Sequence, residues 1–78
     1  MPQRTTRADK AGDIARWVQA GDVIAWRTAA GHSQADAARR IRVTQAAVSY
    51  WERGTTAPAG HKIDDYWKYL KTIRPTEN

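Results

Sequence analysis

Residues 33–54 read SQADAARRIRVTQAAVSYWERG, and the fold turns on how this stretch divides. Ser33 is a good helix N-cap, and Asp36 three residues on completes a capping box in which the shorter acid replaces glutamate. Ala37, Ala38 and Ile41 fall on one face of the helix that follows, where small side chains let another helix approach closely. Arg42 and Val43 leave room only for a tight turn before Thr44, which caps a second helix closed by Gly54. On that helix Val48 and Trp51, with Val43 ahead of them, form the inward face. Gln45, Ala46, Ser49 and Tyr50 face outward, with no acid among them. Two short helices joined this sharply let the first rest across a DNA backbone while the second enters the major groove.

The flanks extend the helical pattern. Asp13 is the expected N-cap of a helix carrying Ile14, Trp17 and Val18 on one face, with Gly21 as its stop signal. Asp22 then opens VIAWRTAA, which aligns Val23, Trp26 and Ala30 beside Arg27 and ends at Gly31. A single helix through Gly21 is the alternative, since one interior glycine costs only about 1 kcal/mol. Beyond a loop at Thr55–Gly60, HKIDDYWKYLKTIR aligns Ile63, Tyr66, Trp67, Leu70 and Ile73, a strongly amphipathic helix that Pro75 stops. Asp64 is spaced to pair with Lys68. Nothing alternates with period two. The expected fold is therefore all-α, a compact domain of four to five helices over residues 13–74 with its helix-turn-helix at 33–53. Residues 1–12, with Arg4, Arg7 and Lys10, read as a flexible basic arm, and 75–78 as a frayed tail.

Composition narrows the function. A chain of 78 residues holds one modest core, and with one Leu, five Ile, four Val and no Phe, its four Trp and three Tyr must supply much of the buried area. Part of its stability is expected from self-association. The absence of cysteine excludes disulfides, Cys-ligated zinc and thiol catalysis. No apolar run approaches the roughly 18 residues of a membrane span, and the N-terminus has no signal-peptide pattern. A soluble, intracellular protein is expected. His32 and His61 are isolated at helix starts, and Asp64 and Asp65 point about 100° apart on a helix, so no catalytic, metal or cofactor site is expected. The net charge of +5 favours an acidic partner, and from Arg27 to Arg53 five arginines face only Asp36 and Glu52.

These residues resemble the lambda-repressor and Cro-type regulators, the xenobiotic-response-element family. The resemblance runs from about Val23 to Pro58, roughly half the chain, and rests on Trp26-Arg27, Gly31, Ser33-Gln34, Ala38, Ile41, Val43, Val48, Ser49 and Trp51-Glu52-Arg53-Gly54 without insertions. It implies that Gln34 contacts phosphate and buttresses a reader, and that Gln45 reads a base, adenine being the fit for its amide. Ala46 is set to meet a thymine methyl, and Ser49 and Tyr50 to touch bases or phosphates. Thr44, Arg53, Thr55 and Thr56 are candidate backbone contacts, with simple capping an equal account of Thr44. It also implies that Glu52 turns inward to an ion pair with Arg27. Arg42 departs from the family, which usually has glycine there: either the turn differs, or the arginine is kept for a phosphate, or it is a plain surface residue.

The function expected from this resemblance is a sequence-specific, double-stranded-DNA-binding transcriptional regulator, a Cro-like repressor that occludes its operator in the cytoplasm of a bacterium or a phage-infected bacterial host. With no room expected for a ligand-sensing domain, no small-molecule ligand is foreseen. A palindromic operator and a homodimer follow from half-sites about 34 Å apart. Tyr66, Trp67, Tyr69 and Leu70 are the candidate dimer surface, unless that stripe closes the core of one chain. The alternative function is a protein-interaction module on the same fold, an antirepressor or toxin-binding antitoxin. A membrane-surface role for residues 61–74 ranks third, because acids and bases mix on its polar face.

Overall fold

The computed structural model describes residues 5–75, and these form five helices: α1 (Arg7–Ala20), α2 (Asp22–Ala29), α3 (Gln34–Ile41), α4 (Gln45–Arg53) and α5 (His61–Ile73). No strand occurs among the described residues. Helix α5 packs against α1, α2 and α3, while α4 lies on α3 and touches α1. The expected all-α class holds.

The N-terminal boundary is corrected. Helix begins at Arg7, six residues ahead of Asp13, because Thr6 and Asp9 form a reciprocal capping box. Of the expected arm, residues 1–4 lie outside the described residues, as do 76–78 of the expected tail. Tertiary contacts hold the new first turn. Asp64 does not pair with Lys68; it binds Arg7 at 2.6 Å and the Lys10 ammonium at 3.2 Å. Asp13, far from capping a helix, accepts a 3.0 Å hydrogen bond from the Trp67 indole on α5 and pairs with Arg16. Gly21 breaks the chain between α1 and α2 at φ 79°, a left-handed conformation open to glycine at little cost. The unbroken-helix alternative therefore falls.

The aromatic side chains supply the core as composition demanded, but not where dimerisation was expected. Tyr66, Tyr69 and Leu70 are buried within the single chain, so the stripe proposed as a dimer surface closes the monomer core instead. Trp67, half-buried, is engaged by Asp13 and Lys10. Tyr66 lies against Trp51, their ring centroids 4.8 Å apart, which holds α4 onto α5. Burial is deep enough that the Tyr66 hydroxyl has no hydrogen-bond partner and its pKa is pushed up. Trp17 and Trp26 meet edge to face at 5.2 Å, with the Arg74 guanidinium over both rings.

The turn between α3 and α4 is strained. Arg42 adopts φ 67°, ψ 50°, and is the one non-glycine residue with positive φ among the described residues. The left-handed region costs an L-residue with a Cβ about 1–2 kcal/mol. Arg42→Gly is expected to stabilise the domain by about 1 kcal/mol, less the extra freedom glycine gains when unfolded, raising Tm by a few degrees in thermal melts.

Acid should loosen the same framework. Hydrogen bonds from the Trp67 indole to Asp13, from the Ser33 backbone to Asp36 and from Arg7 to Asp64 hold these carboxyls below the ordinary value of 3.8. Groups with lowered folded pKa stabilise fully above the unfolded value and lose that contribution as pH falls through the folded one. Stability from these three is expected to persist down to about pH 4 and to drain away below it. Acid titration of Asp13→Asn, followed by circular dichroism, should show a shallower loss than the parent.

Candidate nucleic-acid interface

The exposed surface of α4 follows from its local sequence. The Thr44 hydroxyl accepts from the Ala47 amide at 3.1 Å, capping the helix, and Gly54 ends it in the left-handed region at φ 76°. Ser33 and Asp36 make the expected capping box on α3. Between these caps Val48, Trp51 and Glu52 turn inward. Gln45, Ala46 and Tyr50 are exposed and Ser49 is half-exposed, so the four candidate readers share one outward surface, and the first turn of α4 carries no acid.

Beneath that surface runs a polar chain. Arg27 donates to both Glu52 oxygens, from Nε at 2.5 Å and from Nη2 at 3.1 Å, in a bidentate fork. The Glu52 carboxylate is 2 % exposed and the Arg27 side chain 13 %, so this is a desolvated pair. The hydrogen bond to Glu52 raises the Arg27 pKa above its ordinary value. Arg27 Nη1 also donates to the His32 carbonyl at 2.9 Å. The Gln34 amide donates to Glu52 Oε1 at 3.0 Å, and its own oxygen lies 3.5 Å from the Gln45 amide nitrogen. Arg27, Glu52, Gln34 and Gln45 thus form one line from core to surface. Gln34, half-exposed, uses one amide N–H on Glu52.

The remaining candidates surround α4. Arg53 is exposed with its guanidinium 5.2 Å from the Tyr50 ring centre, and Thr55 and Thr56 are exposed in the loop after α4. Arg42 is exposed at the preceding turn. Two participants escaped the sequence reading. His32, isolated at a helix start in the sequence, is half-buried and hydrogen-bonds the Tyr69 hydroxyl through Nδ1 at 2.9 Å. Lys62 donates to the Ile41 and Arg42 carbonyls at 3.1 and 3.2 Å. Each partner lies 20 or more residues away along the chain, and no local pattern announces such pairs.

Two capped helices joined by a tight turn, the second presenting an outward face with no acid in its first turn, form a helix-turn-helix. The chain belongs to the Cro/C1-type helix-turn-helix family, whose description, "Helix-turn-helix", matches residues 23–77. It is a family of DNA-binding regulators and not of enzymes. No curated protein and no solved structure matches the chain significantly. Helix α1 lies outside the matched residues. No helix among those described is long and apolar enough to cross a membrane.

Removing the acid tests the polar chain. Glu52→Ala leaves Arg27 buried without its partner, and breaking a buried pair costs about 3–5 kcal/mol. The expected outcome is a large fall in the denaturation midpoint, with a smaller loss of DNA affinity per folded molecule. An unchanged melt would contradict the role given to this pair.

Proposed function

We propose that the protein is a sequence-specific repressor that occludes its operator, reading bases through Gln45, Ala46, Ser49 and Tyr50. The observation that carries this reading is the first turn of α4: exposed, free of acid, and backed by Gln34 through the Arg27–Glu52 pair. A glutamine so braced presents its amide with little rotamer freedom left to lose, which suits bidentate pairing with adenine. Thr44, Arg42, Arg53, Thr55 and Thr56 flank the readers and supply phosphate contacts, which set register and most of the affinity. Gln34 contributes chiefly as a brace.

Two copies are proposed to bind a palindrome, each placing α4 in a major groove about one helical turn from the other. Because the α5 stripe is consumed in the core, the copies meet elsewhere on the surface. The same burial weakens the interaction-module alternative, which relied on that stripe: among the described residues the exposed large hydrophobics are Ile24 and Tyr50. The site of action is the cytoplasm of a bacterium or phage-infected cell, where the duplex lies.

Selection of bound duplexes from a random pool tests the reading. A palindromic consensus is expected, with a steep fall of affinity as salt rises. Gln45→Ala should relax preference at one base position by about 1–3 kcal/mol while leaving salt-dependent binding in place. A pool that stays random with the parent protein would refute sequence reading.

A further inference from the structure

The C-terminal end of α3 and the neighbouring part of α5 enclose an open groove of about 430 Å³, lined by Arg40, Arg42, Asp65, Lys68 and Thr72, with the buried Ile41 and Tyr69 behind them. Its electrostatics are one-sided. The carbonyls at the end of α3 carry the negative end of the helix dipole, and Lys62 caps two of them. Lys62 also lies 3.7 Å from Asp65, the groove's acid. One buried-facing lysine thus answers both sources of negative potential. Arg40, Arg42 and Lys68 are exposed and have no carboxylate partner among the described residues. Three free cations remain around a cleft whose one acid, Asp65, lies beside Lys62.

We propose that this groove is a second phosphodiester-binding surface, which holds the backbone of the same duplex beyond the segment read by α4. The inference rests on the DNA-reading function above. Arg42 links the two surfaces: it lines the groove and stands two residues before Thr44, the cap of the reading helix. Its strained backbone is retained at the point where a charge would join them. An acidic protein segment is the poorer fit, because such partners anchor through exposed apolar or aromatic side chains, and the apolar members here, Ile41 and Tyr69, are buried. A phosphate backbone needs only spaced cations.

The test uses a duplex selected by the parent protein and measures log affinity against log salt for the parent, Arg40→Gln, Lys68→Gln and the double variant. Both residues are exposed and unpaired, so melting should not change. Each lost phosphate contact is expected to reduce the slope by about 0.9, so that affinity lost between about 50 and 200 mM salt shrinks about 3.5-fold per substitution. The selected sequence should stay the same, and trimming the duplex to the base-read segment should abolish the difference. Unaltered slopes beside a steep parent slope overturn the groove while leaving the reader intact. Loss of polyglutamate binding with DNA slopes unchanged makes it a protein surface and also overturns it. A parent that binds no duplex overturns the DNA reading itself.

Discussion

The bond between Arg27 and Glu52 is the interaction on which the DNA-facing surface depends. An acid in the helix that approaches DNA would repel phosphate if it faced outward. Turned inward and unpaired, it would carry a desolvation cost of several kcal/mol. The bidentate fork to Arg27 resolves both problems, and its geometry fixes how α4 is rotated about its axis. Once Glu52 points to α2, Val48 and Trp51 must lie on the core side, and Gln45, Ala46 and Tyr50 must face out. Gln34 then uses the second lone pair of Glu52 Oε1 and passes the constraint on to Gln45. A buried ion pair is weak evidence of stability by itself; here its consequence is orientation.

The rest of the molecule keeps α4 in place. Tyr66 on α5 supports Trp51, and α5 is supported in turn by α1 through Asp64, Trp67 and Asp13. The polar contacts between α1 and α5 add to the apolar packing of the core. Helix α1 adds Ile14 to the core and half-buries Trp17 and Val18. It lies outside the stretch matched by the family, yet it completes the apolar cover over the C-terminal helix.

Charge is distributed with similar economy. The carboxylates are used for caps and tethers: Asp9 and Asp36 close capping boxes, Asp64 holds α1, and Glu52 holds α2. Among the described residues Asp22 has no side-chain partner, whereas Arg40, Arg42, Arg53 and Lys68 are exposed without a carboxylate partner and border α4, its preceding turn and the α3–α5 groove. The excess of +5 is therefore not a diffuse coat around the domain.

The sequence by itself determined the helix-turn-helix and its facing. Caps, glycine stops and helical spacing act within a few residues, and Ser33, Asp36, Thr44 and Gly54 stand where such local rules can be read. The inward turn of Glu52 came through the family resemblance carried by Trp26-Arg27 and Trp51-Glu52. The start of α1 is also set locally, by the Thr6 and Asp9 capping box, though Asp13 offers a competing cap; tertiary structure alone decided the partner of Asp64 and the fate of the Tyr66, Tyr69 and Leu70 stripe. An amphipathic face reads the same whether it meets its own chain or another, because periodicity records only that it is buried. Long-range pairs such as Asp64–Arg7, His32–Tyr69 and Lys62 with the end of α3 depend on which helices become neighbours, and that is settled by packing, not by spacing along the chain.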